Sequence, residues 1–263
     1  IPAAGIMKYK RDVIDRKGYK AILKLSVIYL FVAVFWSLFD QTGSSWILQA
    51  KSVYVVKTID LRFWVFDFDW LHFTLLPSQV QAANPILILI FVPIFTFFIY
   101  PAINRFFKLK PLRKISIGMF IAAISFAIIA WMEQQITAQV HISILWQFLA
   151  YAVLTAAEVM VSITALEFSY TQAPNTMKSL IMGFYLLSVS LGNFIAALVN
   201  GLIEREDGSL RLEGAEYFWF FTIFMLLTAI GFILVAANYK EKTYIQGKDD
   251  DDDEADPIIW EKS

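Results

Sequence analysis

The sequence predicts an all-α membrane protein built on six transmembrane helices. Three observations carry that expectation. Of the 263 residues, 58% are hydrophobic and 16% aromatic. Charged residues make up 17%, against roughly 25% in a soluble domain. The apolar residues also fall into long uninterrupted runs, and the mean hydropathy is +0.59.

A hydrocarbon core about 30 Å thick requires roughly 20 apolar residues of helix. Runs near 25–48, 84–106, 113–132, 143–170, 178–203 and 216–240 reach that length. Each is apolar over many turns, whereas a barrel strand alternates over about ten residues, so helices are expected throughout. The chain then divides into a basic segment (1–24), a bundle (25–240) and a tail (241–263). The basic segment lacks the short apolar core of a secretory signal, and the chain is expected to begin inside a longer protein.

Lys and Arg set the orientation. One side of the membrane receives seven from the opening segment, five from Arg105 to Lys114, Lys178, and four from the tail, 17 of the 22 in the chain. The other side has Lys51, Lys57, Arg62, Arg205 and Arg211. Both chain ends are therefore expected in the cytoplasm, which an even number of spans allows. On the outer side, the long connection from Lys51 to Ala83 carries Phe63, Trp64, Phe66, Phe68, Trp70 and Phe73, read as an interfacial aromatic belt. In the tail, Asp249 to Glu254 form an unbroken acidic run of the kind that is solvated.

Composition excludes several functions. Without cysteine there is no disulfide framework, thiolate metal site or cysteine nucleophile. Two histidines, His72 and His141, do not make a multi-histidine metal site. No nucleophile constellation or phosphate-binding loop stands out, so an enzyme is not expected, and neither the net charge of -1 nor its distribution points to nucleic acid.

Among the carboxylates in the apolar runs, where charge is costly and usually functional, two stand out. Asp40 is sixteen residues into the first run, about 23 Å from its cytoplasmic end, with Trp36 one turn earlier and Gly43 one turn later on the same face. Glu158 is mid-way along the fourth run, and Ser162 shares its face. Lys and Arg occur only at the ends of these runs and not within their apolar stretches, so each carboxylate is protonated or meets a cation from outside the chain. Glu167, nine residues after Glu158, is expected about 180 degrees around the helix in a structural role. Glu133 and His141, beside an outer loop, read as solvated. Trp36, Phe39 and Tyr185 accompany the carboxylate-bearing faces. Glycines 183, 192 and 201 do not form one packing stripe, though each could allow a close helix approach.

The run Phe35-Trp36-Ser37-Leu38-Phe39-Asp40-Gln41-Thr42-Gly43-Ser44-Ser45-Trp46 resembles the seventh-helix signature of the proton-coupled oligopeptide transporter (POT) family of the major facilitator superfamily. Leu166-Glu167-Phe168-Ser169-Tyr170-Thr171-Gln172-Ala173-Pro174, followed by Met177-Lys178-Ser179, is similar to the end of that family's tenth helix and the turn after it. Leu76-Pro77-Ser78-Gln79 before Asn84, and Gly192-Asn193, add to the resemblance, which extends over about residues 20–240.

The resemblance implies helices seven to twelve of a twelve-helix carrier, one half of the superfamily fold, whose first six-helix half is missing from this chain. It also implies proton-coupled symport of di- and tripeptides by alternating access, in the lipid bilayer of a bacterial plasma membrane, with protons as coupling ion and no cofactor or metal. Glu158 would receive the peptide's amino terminus with Ser162 beside it, and Asn84 would bind the peptide backbone. Trp36 and Phe39 would line side-chain pockets, and Asp40 would close the outer gate against a basic residue of the first half. Tyr185 stands where the family often has Trp, which adds a polar handle and removes apolar area. The alternatives are a related carrier of nitrate or amino acids, or a membrane scaffold or receptor that does not transport.

Overall fold

The computed structural model describes residues 16–60, 72–172, 177–203 and 211–239. Among them six helices are long and apolar enough to cross a membrane: Ile22–Ala50, Pro77–Asn104, Pro111–Thr137, Leu145–Thr171, Lys178–Ile203 and Ala215–Asn238. These are called the first to sixth spans below. All six expected runs are present, with ends that differ by several residues.

The largest boundary difference is at the second span, which begins at Pro77 rather than near residue 84. The start is written locally: Pro77 stands in the first helical turn, where its missing N–H costs nothing, and Gln79 Oε1 accepts the Leu76 N–H at 2.8 Å. Asn84 thus lies two turns into the span, as the second residue of the helix Ala83–Ile94 that follows a turn at Ala82. The first helix likewise starts before its apolar run, at Arg16, within the stretch read from sequence as a basic segment.

Two helical irregularities position the site. The first helix ends at Phe39 and tightens into a 3-10 turn over Asp40–Gly43 before Ser45–Ala50 resumes. The second and fourth spans each contain a π-helical segment, Phe95–Ile99 and Val159–Ile163. In the second span Pro93 removes a backbone donor just before the segment begins. Phe95 packs on Val159 and Met160, so the two segments meet.

The π segment corrects the expectation for Glu167. One residue is effectively inserted, so nine residues advance the helix as eight would, about 80 degrees past whole turns rather than 180. Glu167 is exposed and within electrostatic reach of the Tyr100 phenol, whose ring carries Lys114 Nζ 4.1 Å from its centre.

The third span is central, packing against the sixth and the fourth, while the first packs along the fifth. The Trp46 indole is fully buried between Phe126 and Tyr151, at ring-centre distances of 5.4 and 4.8 Å. Of the three glycines, Gly192 alone sets a close approach: a Cβ there would meet Trp36 Cβ at 2.6 Å and the Ala33 carbonyl at 2.7 Å, whereas nothing lies within 4 Å of that position at Gly183 or Gly201.

Short strands that the apolar runs do not reveal tie the connections at the end opposite the chain termini. Strand β1 (Val55–Val56) pairs in parallel with β4 (Ile142–Ser143). Strands β2 (Thr58–Asp60) and β3 (His72–Thr74) pair antiparallel. The aromatic belt residues Phe63, Trp64, Phe66, Phe68 and Trp70 lie outside the described residues, as do Ala173 and Pro174 and the acidic tail.

Glu133 departs from its expected solvated state. It is half-buried, and its Oε2 accepts a hydrogen bond from Gln49 Nε2 at 2.7 Å, which ties the end of the first span to the third. His141 is exposed, with its ring 5.6 Å from Tyr54.

Candidate functional site

Glu158 is the last residue of the regular helix Leu145–Glu158, at the entry to the π segment, and is only 8% exposed. The second span brings Asn84 to it. Asn84 Nδ2 donates to Glu158 Oε2 at 2.9 Å and to Thr155 Oγ1 at 3.1 Å. Among the described residues this amide is the hydrogen-bonding partner of the carboxylate, so Glu158 is held by a neutral donor and faces no cation.

Ser162 lies one turn beyond Glu158, as expected, but its hydroxyl donates to the Glu158 backbone carbonyl at 2.9 Å, not to the carboxylate. Its own carbonyl accepts the Tyr185 hydroxyl at 3.1 Å. The polar handle implied at Tyr185 is thus spent on fastening the fifth span to the π segment. The ring of Tyr29 meets Tyr185 edge-on with centres 6.1 Å apart. Asn84, Glu158, Ser162 and Tyr185 therefore form one hydrogen-bonded unit drawn from three spans.

Trp36, Phe39 and Asp40 form a second group on the first span. Trp36 packs edge-on to Phe39, ring centres 5.4 Å apart, with its Cβ against Gly192. Its indole N–H is buried without a hydrogen-bond partner among the described residues, close to the Tyr185 side chain. Asp40 opens the 3-10 turn, and its Oδ2 is also buried without a partner among the described residues. One member of each group, Phe39 and Asn84, lines a cleft of about 360 Å³ between the first and second spans, together with Thr42 and Gln81.

Sequence reasoning did not single out Thr155, the second acceptor of the Asn84 amide, or Tyr29, the ring behind Tyr185. A signal for Thr155 was present. Gln147, Tyr151, Thr155, Glu158 and Ser162 recur at helical spacing and form one polar stripe in an otherwise apolar helix.

With this geometry established, comparison with known proteins is informative. The sequence profile of PTR2, the POT family, matches residues 3–220, a window that starts and ends earlier than the 20–240 read from motifs. Peptide transporter PTR2 of Saccharomyces cerevisiae is 29% identical over 194 residues, covering 69% of this chain and 30% of the yeast protein. Solute carrier family 15 member 2 of Rattus norvegicus is 34% identical over 160 residues, 60% of this chain and 20% of the rat protein. Among solved structures, an auto-inhibited POT family peptide transporter superposes with a TM-score of 0.74 at 30% identity, over 88% of this chain and 44% of that one. The POT family transporter PepTSo gives 0.71 at 36% identity, over 84% and 42%. This chain therefore spans less than half the length of the proteins it matches.

Proposed function

Because the chain belongs to the POT family of membrane transporters, we propose that it forms the C-terminal half, helices seven to twelve, of a carrier that moves di- and tripeptides together with protons. The observation that carries this reading is Glu158, a membrane-buried carboxylate whose hydrogen bond comes from the neutral Asn84 amide. A carboxylate so placed takes up a proton or a positive charge from outside the bundle, and a peptide's terminal ammonium has the right sign and size. It also argues against an anionic substrate such as nitrate.

In this reading Glu158 receives the ammonium and Asn84 turns part of its amide to the peptide backbone, since Asn84 lines the cleft and Glu158 lies directly behind it on the Asn84 amide. Trp36 and Phe39 supply apolar walls for substrate side chains. Ser162 and Tyr185 hold the π segment that orients Glu158, so their contribution is to positioning. Asp40, with an unpartnered oxygen near the far end of the first span, pairs with a basic residue of the other half to close the outer gate. Both chain ends lie in the cytoplasm, with the basic connections on that side. The short connection between the third and fourth spans favours a bacterial plasma-membrane carrier. The two halves rock about the central site, exposing it to each side in turn, with protons as the coupling ion and no cofactor.

Uptake of a labelled dipeptide into liposomes containing the complete carrier tests this, alongside Glu158→Gln. Accumulation that requires an inward proton gradient, is blocked by unlabelled dipeptide but not by nitrate or free amino acid, and is lost in the variant is the expected result. Accumulation by the variant equal to that of the parent would remove Glu158 from the substrate site.

A further inference from the structure

The connection between the second and third spans lies at the end of the bundle away from the β-strands and takes no part in the cleft. It is tightly held. The Leu109 N–H donates to Asn104 Oδ1 at 2.7 Å, the Leu109 side chain is buried, and the Arg113 guanidinium donates to the Lys108 carbonyl at 2.8 Å. Pro111 opens the third span, with Lys110 immediately before it.

This arrangement turns charge and aromatic surface outward together. Lys108 and Lys110, on either side of the buried Leu109, are exposed, as are Arg105 and Arg113. Phe106 is 88% exposed and Phe107 46%. The sequence has no carboxylate between Tyr100 and Glu133, and none of these four cations forms an ion pair among the described residues. Lys114 stands apart, over the Tyr100 ring that Glu167 of the fourth span also influences.

Two observations identify the bilayer as what covers this surface. Of the six spans, the one that leads into the connection has the least buried apolar stretch, at 6%. It also exposes Phe97 and Phe98, each 71%, two to three turns before Phe106. The connection therefore begins where hydrocarbon gives way to headgroups. Cations at that depth attract anionic headgroups, and apolar side chains beside them anchor in the acyl boundary. An acidic segment such as Asp249 to Glu254 of this chain would satisfy the cations but leave the phenylalanines uncovered.

We infer that this connection is a binding site for anionic phospholipid. Lys108 and Lys110 take the lipid phosphate, Arg105 and Arg113 add charge beside it, and Phe106 and Phe107 lie among the upper acyl segments. The site uses no residue of the substrate cleft, so it stands or falls apart from the transport reading.

The test places a fluorophore beside the site in the complete carrier. This chain has no cysteine, so Ala102→Cys, exposed one turn before Phe106, gives a labelling position that leaves the cations and phenylalanines intact; any cysteine of the other half is first replaced by serine. The labelled carrier is reconstituted in phosphatidylcholine vesicles with increasing fractions of brominated phosphatidylglycerol or, separately, brominated phosphatidylcholine, and quenching is read. Half-maximal quenching is expected at a lower fraction of phosphatidylglycerol than of phosphatidylcholine. In Lys108→Gln/Lys110→Gln the phosphatidylglycerol fraction required should rise about 25-fold, about fivefold for each cation removed.

Equal quenching by the two lipids in the parent overturns the site, and so does a parent-like phosphatidylglycerol curve in the double variant. If the double variant does not fold, the parent decides at about 1 M salt, where screening acts over about 3 Å: loss of the preference for phosphatidylglycerol supports the site, and its persistence overturns it. A preference that arises only after residues 249–263 are deleted overturns lipid as the occupant and assigns the surface to the acidic tail.

Discussion

The second and fourth spans face each other across Glu158, and each contains a π segment, yet they are built by opposite rules. The second is more apolar, with a mean hydropathy of 2.6 against 1.8 for the fourth, but 6% of its most apolar stretch is buried against 67% of the fourth's. In a soluble protein the more apolar helix would be inside. Here lipid tails solvate leucine as well as a protein core does, so apolarity carries no preference for the interior. Polar side chains do carry one, because they find partners only within the bundle. The fourth span is inside because it carries Gln147, Tyr151, Thr155, Glu158 and Ser162, and the second contributes Asn84 and the buried Val80 and Phe95 while most of its surface faces outward.

Substitutions ranked by expected effect can break or sharpen that contrast. The largest should come from Gly118→Val in the third span, where a Cβ would lie 2.7 Å from Val161 Cγ2 and 2.9 Å from Met160 Cβ, on the fourth span's π segment. Overpacking there should cost about 2–3 kcal/mol, read as a lowered unfolding midpoint in detergent. A parent-like melt would mean that the fourth span is not rigidly held.

Next is Asn84→Leu, which leaves the Glu158 carboxylate without its donor. A loss of about 1–2 kcal/mol is expected, and a double-mutant cycle with Glu158→Gln should show the coupling. Additive effects would indicate that the 2.9 Å contact contributes nothing in the membrane. Tyr151→Phe removes the bond to the Thr42 carbonyl and should cost about 1 kcal/mol in the same melt. The smallest effect belongs to the second span's outer face: Leu89 is 77% exposed, and Leu89→Ala should change stability by less than about 0.5 kcal/mol. A loss as large as that of Tyr151→Phe would show that another protein surface covers this face.

Part of the site was readable in advance. Asp40 and Glu158 stand out because a charge in a long apolar run is costly wherever the run is placed. Tyr185 stands out as an aromatic accompanying the carboxylate-bearing faces and Asn84 emerges through family resemblance, and the structure joins them to Ser162 and Glu158 respectively. What the residues could not reveal was the economy of the contacts. Ser162 and Tyr185 read as groups beside a substrate, yet their hydroxyls donate to backbone carbonyls on the fourth span. Glu167 is exposed, apart from the buried Glu158, but the helical turn between them is not the regular one assumed, and no residue in Val159–Ile163 signals a π segment as Pro93 does for the second span.

By itself the sequence determined the number of spans, their approximate limits and which residues bear charge in the membrane. Those properties follow from hydrocarbon thickness and the cost of an unpaired charge, both of which act on each segment alone. Tertiary structure decided everything that depends on a neighbour: that Asn84 meets a carboxylate 74 positions later, that Gly192 and not Gly183 receives a helix, and that the polar stripe of the fourth span donates to backbone carbonyls of the first. Helix association in lipid is set by close packing and polar pairing between segments, and neither quantity belongs to any segment on its own.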